Sequence, residues 1–311
     1  MKLGFIKSNF PYEKRVALLP EHVKDFPNEI IVESGFGDYL NILDQEYIDK
    51  GCKILTRSQV FAECDAILLL KLIQECDYRY LRNNQLLIGW THPTSSGAKF
   101  YQNVAIDKCL TIVDLDNILP TLFYKKKNKL IDFIPKNFIQ KNSFLAGYSS
   151  VMHAIISHGK IPNSNTKVAI LSSGNVAQGA FIAISKFTDN VILYYRKTMD
   201  EFYLSLNEFD IIINGIQVDK IGLHILTIHD QLKLKKGCLI IDAVADAGIA
   251  IEGTINTTIG NPIYESKDIY YYEVNNSPSI YFRDSSYEIS KSFSQYVYSI
   301  DIKRFLELRD K

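Results

Sequence analysis

The sequence predicts an α/β protein of two lobes, each built on a mostly parallel sheet. Three observations predict it. Apolar runs of strand length recur along the 311 residues, stretches of helical character separate them, and the strand pattern lapses mid-chain before restarting. A chain of this length suffices for two domains of ordinary size, each with its own core.

In the first third the runs are "KLGFIK" at 2–7, "NEIIVE" at 28–33, "CDAILLLK" at 64–71 and "QLLIGW" at 85–90. Between them "PEHVKDF" at 20–26 and "LDQEYIDKG" at 43–51 have helical character, the latter opening on an acidic turn and stopping at Gly51. "YKKKNKLIDFIPK" at 124–136 reads as an exposed hairpin or linker in preference to a basic patch. "NSFLAGYSSVMHAIISHG" then reads as one helix, capped by Asn142 or Ser143 and ended by Gly159.

Strands return with "KVAIL" at 167–171, "NVILYY" at 190–195, "FDIIINGI" at 209–216 and "GCLIIDAVAD" at 237–246. Uninterrupted apolar strands suit a parallel sheet covered on both faces. "IYYYEV" at 269–274 completes that sheet, and the amphipathic "SSYEISKSFSQYVYSIDIKRFLELRD" is expected to pack back on the first lobe as helix, tying the lobes together. The division expected is 1–140 with 283–311 in one lobe and 141–282 in the other.

Composition excludes several function classes. Lysine plus arginine, 35, equals aspartate plus glutamate, 35, so no global field draws the chain to nucleic acid or a membrane surface. The 5 cysteines form no C-x-x-C pair, which disfavours a zinc site or disulfide framework and suits reduced thiols. "MKLGFIKSNF" lacks the apolar core of a signal peptide, and no uncharged apolar run reaches the roughly 18 to 20 residues that span a bilayer. The expectation is a soluble cytoplasmic protein with no metal. Its apolar content is compatible with a homo-oligomer, dimer or tetramer, but no strip of residues identifies an interface.

"KVAILSSGNVAQGAF" at 167–181 runs strand into helix through a small-residue turn. Dinucleotide folds place G-x-G-x-x-G there, because unpaired N–H groups and the helix dipole favour a pyrophosphate. Ser172 stands at the first glycine position, tolerable if its φ stays negative. Ser173, Gly174, Asn175 and Val176 follow, with Gly174 allowing close approach of the diphosphate. Ala177, and Gly179 one turn on, would let the helix pack on the strand. Alone, the motif fits an ordinary turn as well as a cradle.

The next strand ends in "YYRKT", placing Arg196, Lys197 and Thr198 where an acid about twenty positions on would meet the adenosine ribose of NAD. An arginine there pairs with a 2′-phosphate, which implies NADPH in place of NADH. The plain alternative is a solvated turn.

With these residues in view, the chain resembles the alanine dehydrogenase and transhydrogenase family over its whole length. The resemblance lies in "EKRVALLPEHV" at 13–23, "LLKLI" at 69–73, "GWTHPTS" at 89–95, "DAVADAG" at 242–248 and "VNNSPSIYFRDSS" at 274–286, including the spacing from Pro278 to Arg283. "DQEYIDKGCKIL", "LKLIQ", "YYRKTM" and "DIIINGI" are similar to its compact, NADPH-dependent opine-type members. Ser172 departs from the family's usual glycine.

The resemblance implies two Rossmann-like lobes with the cofactor in the cleft between them. It implies a reaction as well: pyruvate condenses with the side-chain amine of ornithine or lysine, and NADPH reduces the imine. Arg15 and Lys71, each following a strand, would hold the keto-acid carboxylate, although Arg15 also reads as a surface arginine and Lys71 as a snorkelling one. His92, before Pro93 at a strand end, matches the family's catalytic histidine, and imidazole suits proton transfer near neutral pH. Lys71 and Asp246 complete the catalytic set, with Asp246 orienting the amine or aiding proton transfer. Asp242 reads as structural. Gly215 and Asn276 join the cofactor-binding residues, Asn276 toward the nicotinamide or as a plain turn residue.

Two rival readings stand beside this one. The nearer is an alanine dehydrogenase or a saccharopine-type enzyme, against which Arg196 and the short chain argue respectively. The more distant is a non-catalytic NADPH-binding sensor, which would have no use for Lys71, His92 and Asp246 together.

Overall fold

The computed structural model describes residues 1–115, 119–218 and 222–311. The chain divides into two compact units, Met1–Ile139 with Phe282–Lys311, and Gln140–Tyr281.

Among the described residues the first unit holds strands β1 (Lys2–Phe5), β2 (Glu29–Glu33), β3 (Lys53–Leu55), β4 (Ala66–Leu69), β5 (Leu86–Gly89), β6 (Thr111–Asp114), β7 (Thr121–Tyr124) and β8 (Lys127–Leu130). They form one sheet in the order β3-β2-β1-β4-β5-β6-β7-β8. β3 through β6 are parallel, and β7 and β8 add an antiparallel hairpin, the one expected near 124–136. Helices α1 (Asp44–Ile48), α2 (Arg57–Glu63) and the single turn α3 (Ala98–Phe100) join the strands. Gly51 carries φ +85 just beyond α1, the left-handed step that ends a helix. The parallel order reverses direction between β1 and β4, and such a switch point opens a crevice at the carboxyl ends of the strands.

The second unit holds a second sheet in the order β10-β9-β11-β12-β14-β13. Its strands are β9 (Val168–Leu171), β10 (Val191–Tyr194), β11 (Ile211–Asn214), β12 (Leu239–Asp242), β13 (Ile263–Ser266) and β14 (Ile269–Tyr272). Among the described residues all pairings of these strands are parallel except β13 with β14. Successive residues alternate between two cores: Ile211 and Ile213 face one, Ile212 the other, and Leu239 and Ile241 repeat the pattern against Ile240. Burial on both faces explains the unbroken apolar runs.

Among the described residues four helices belong to this unit: α4 (Gln140–His158), α5 (Asn175–Ile184), α6 (Met199–Leu204) and the short α7 (Ile228–Gln231). α4 begins ahead of the expected caps, so Asn142 and Ser143 lie within its first turn. Gln140 and Lys141, both good helix formers, extend it. Gly179 packs α5 against α4 and not against a strand: a Cβ there would lie 1.9 Å from the Phe144 carbonyl oxygen. Ala177, fully buried, does face the sheet core.

The chain closes with α8 (Phe282–Tyr296) and α9 (Lys303–Asp310), which return to the first unit. Ile289, Phe293, Val297, Tyr298, Ile302 and Phe305 join the core of β1 and β4. "PEHVKDF" makes only the 3-10 turn Pro20–His22, not the helix expected. The chain on its amino-terminal side is tied to α8 instead, with the amides of Val16 and Leu19 donating to the hydroxyls of Ser286 and Ser290. Among the described residues no helix is long and apolar enough to cross a membrane, and all 5 cysteines are free thiols.

Candidate active site

The carboxyl ends of β1, β4, β5 and β6 gather one set of sequence-predicted residues within the first unit. Arg15, beyond β1, is buried and not a surface residue, its side chain 1% exposed. Its Nε and Nη2 donate to the two carboxylate oxygens of Glu13, each at 2.7 Å, and the guanidinium lies 5.1 Å from the Trp90 ring centroid. Burial by itself would push the Glu13 carboxyl up. The charge and hydrogen bonds of Arg15, with a contribution from Lys71, outweigh it and hold Glu13 below the usual carboxylate range. Glu13 therefore stays ionised inside the protein.

Lys71 follows β4 and is half-buried, its ammonium 5.4 Å from the centre of the Phe10 ring. Its charge acts on Glu13, so it shares the electrostatic environment of Arg15. His92 follows β5 and is half-buried at φ +45, a left-handed conformation rare for a residue with a side chain. Asp114, at the end of β6 and 1% exposed, holds it there. One Asp114 oxygen accepts from the Thr91 amide at 3.1 Å, the Thr91 hydroxyl at 3.2 Å and the His92 amide at 3.3 Å. Strained backbone kept by a buried carboxylate is a mark of a functional position. Glu13 and Asp114 escaped the sequence reading.

In the second unit, the turn between β9 and α5 carries the expected nucleotide residues. Ser172 has φ +114, against the expectation of a negative value. The turn demands the backbone that a glycine supplies freely, and serine adopts it under strain. The Ser172 hydroxyl accepts the Gly174 amide at 3.0 Å, which partly offsets that strain. Ser173 and Gly174 are exposed, Asn175 and Val176 half-buried at the first turn of α5. A Cβ on Gly174 would meet nothing closer than the Ser172 hydroxyl at 3.4 Å. A side chain at Gly174 would thus enter open space, and the small-residue turn fits a dinucleotide.

Gly215, just beyond β11, donates its amide to the Leu171 carbonyl at 2.9 Å and lines the same turn. Arg196 and Lys197 are exposed beyond β10, and Thr198 closes their turn, its amide donating to the Tyr195 carbonyl at 2.7 Å. Asn276 is 3% exposed and its carbonyl accepts the Ser279 amide at 2.9 Å, so it anchors the 3-10 turn Ser277–Tyr281.

Asp246 is half-buried, but β12 ends at Asp242, four residues sooner than expected. The Asp242 carboxylate captures the Val244 and Ala245 amides, each at 3.1 Å, and Ala245 turns to φ +56. Asp246 thus rides on a loop, not a strand end. Asp242 is buried as expected of a structural residue, yet its carboxyl partner is Glu273, which the sequence reading missed. An acid inside the apolar run "IYYYEV" was the available signal.

Residues 5–121 match the description "Alanine dehydrogenase/PNT, N-terminal domain" and residues 164–310 its C-terminal counterpart. The chain is 54% identical to N(5)-(carboxyethyl)ornithine synthase of Clostridium botulinum, across 99% of this chain and 97% of that protein. It is 52% identical to the protein of the same name from Lactococcus lactis subsp. lactis (strain IL1403), across 99% and 100% respectively. Among solved structures, an L-alanine dehydrogenase superposes with a TM-score of 0.78 at 19% identity, covering 100% of this chain and 93% of that one. A transhydrogenase from Sinorhizobium meliloti gives 0.73 at 19%, covering 96% and 93%. At that identity the two structures speak for the fold, which is the two-domain Rossmann type. The chain belongs to the alanine dehydrogenase/pyridine nucleotide transhydrogenase family, as an oxidoreductase that works with a nicotinamide cofactor, and its full-length relatives carry the name N(5)-(carboxyethyl)ornithine synthase.

Proposed function

We propose that this protein is an NADPH-dependent, cytoplasmic enzyme that joins pyruvate to the side-chain amine of ornithine or lysine and reduces the resulting imine. The observation that carries the reading is identity above one half, over the full length, to carboxyethylornithine synthases. The charge at the carboxyl end of the first sheet supports it. Arg15, held in one orientation by Glu13, and Lys71 supply two cations for a small keto-acid carboxylate.

The amine nitrogen attacks the keto carbon, and a proton must reach the departing oxygen so that it leaves as water. His92 is assigned that proton, and Asp114 fixes the backbone from which the imidazole projects. Asp246 is assigned the amine, whose nitrogen must lose protons as the imine forms. The turn Ser173–Val176 would hold the cofactor diphosphate, Arg196, Lys197 and Thr198 its 2′-phosphate, and Gly215 and Asn276 would border its remaining length. When bound, the cofactor would supply a hydride to the imine carbon while the imine nitrogen takes up a proton, giving a secondary amine. The arginine at 196, where an NAD enzyme carries an acid, is what favours NADPH.

The test is a turnover matrix. NADPH and NADH oxidation is followed with pyruvate plus ornithine, lysine or ammonia, and the products are weighed by mass spectrometry. Turnover with NADPH and a diamino acid, giving the carboxyethyl product, is expected. Turnover confined to ammonia and yielding alanine would replace this reading with an alanine dehydrogenase.

A further inference from the structure

β12 and β14 run parallel with Ile241 opposite Tyr272, so Asp242 and Glu273 are the next pair along the register. Both are buried, at 0% and 1% exposure. Asp242 Oδ1 accepts from Asn214 Nδ2 at 3.0 Å and from the Val244 and Ala245 amides at 3.1 Å. Glu273 Oε1, at 2.6 Å, and the Ile251 carbonyl, at 2.9 Å, both stand to accept from the Thr254 hydroxyl, and that hydroxyl oxygen in turn accepts the Gly248 amide at 2.9 Å. The second oxygens, Asp242 Oδ2 and Glu273 Oε2, are buried and receive no N–H or O–H from other groups among the described residues. The register sets the two carboxyls side by side on adjacent strands, and the charge of Asp242 acts on Glu273. Two ionised carboxylates cannot rest so close in a dry interior; a proton between them supplies the missing donor and removes one charge.

We propose that Asp242 and Glu273 share one proton and act as a positioning pair, clamping the loop that carries Asp246 at both ends. One carboxyl holds Val244 and Ala245, just before Asp246. The other holds Gly248, just after it, through Thr254. Asp246 itself stays the group that meets substrate, so this inference rests on the reaction proposed above. Burial, and then the charge of Asp242, push Glu273 up to about 9, while burial pushes Asp242 up to about 6. Among the described residues, Asp246, whose charge raises both, and Tyr264, on which Glu273 acts, also face the pair. At neutral pH the pair thus carries a single negative charge.

The test uses the full chain. Infrared spectroscopy of the unaltered protein should show a protonated buried carboxyl at pH 7 that disappears above about pH 9, and Glu273→Gln should lack it. Glutamine keeps a donor toward Asp242 and an acceptor for Thr254, so Glu273→Gln should hold kcat within about threefold. Glu273→Ala should lower kcat about tenfold to a hundredfold, with NADPH affinity little changed, and speed amide exchange at 244, 245 and 248. Absence of the carboxyl band at pH 7, or equal exchange in the two variants, overturns the proposal. The band and the exchange contrast persisting in a protein inert toward pyruvate and amines would support the pair while defeating the reaction assignment.

Discussion

The backbone N–H of Ser172 donates to the carbonyl oxygen of Tyr194 across 2.8 Å. That bond fixes the phosphate-cradle turn to the end of the neighbouring strand, two residues ahead of Arg196. The diphosphate and 2′-phosphate sites proposed above would therefore be parts of one frame. Ser172 completes it at φ +114, a backbone that costs a residue with a Cβ on the order of 1–3 kcal/mol. Alanine keeps that strain and loses the hydroxyl that accepts the Gly174 amide, whereas glycine loses the hydroxyl and relieves the strain. Chemical denaturation should find Ser172→Gly more stable than Ser172→Ala by about 1 kcal/mol, against the usual order of the two residues. Equal stabilities, or alanine ahead, would show that the turn is not strained.

Arg196 stands exposed where an NAD enzyme carries an acid. A hydrogen bond to a charged group is worth about 1.5–3 kcal/mol, so Arg196→Asp should weaken NADPH by roughly 10- to 100-fold. NADH, which lacks the 2′-phosphate, should change by less than about threefold. Calorimetric titration of each cofactor checks this, and matched losses would remove the phosphate contact.

His92 is held at φ +45 by the buried Asp114 carboxylate. Loss of a general acid costs roughly 10²- to 10⁴-fold in turnover. His92→Ala should therefore lose at least about 100-fold in kcat while NADPH affinity stays within about twofold. Asp114→Asn keeps an acceptor for the same amides and should lose less. Near-normal turnover in His92→Ala would take the imidazole out of the mechanism.

The parts legible in the sequence were those whose physics repeats along the chain. Ile211–Ile213 and Leu239–Ile241 announce a two-sided sheet because every position is apolar. Lys53–Leu55 and Ile263–Ser266 pass unread, since short strands at the edges of their sheets carry polar residues and little hydrophobic signal. Motif points to Arg15, Lys71 and His92, yet not to the carboxylates around them. A buried Glu13 or Asp114 looks on paper like any solvated acid, and Glu273 meets Asp242 only through strand register. The strained backbone of Ser172 leaves no trace in the sequence, which does not report φ.

The Glu13–Arg15 pair yields the pH dependence of the first unit. Glu13 is held below the usual carboxylate range, so its stabilisation is present above its unfolded pKa, roughly 4.3, and is lost as pH falls through the lower folded value. Acid unfolding of the native protein should thus steepen below about pH 4. Glu13→Gln removes that titration, leaving stability flatter in the acid range and lower at neutral pH. Glu13→Ala strands a buried guanidinium whose side chain is 1% exposed, and breaking such a pair costs about 3–5 kcal/mol. Because the same carboxylate orients Arg15, both variants should also raise the pyruvate KM more than they change NADPH affinity. Thermal unfolding from pH 3 to 8 with pyruvate saturation curves measures both effects, and unchanged acid stability together with an unchanged KM would dissociate Glu13 from Arg15.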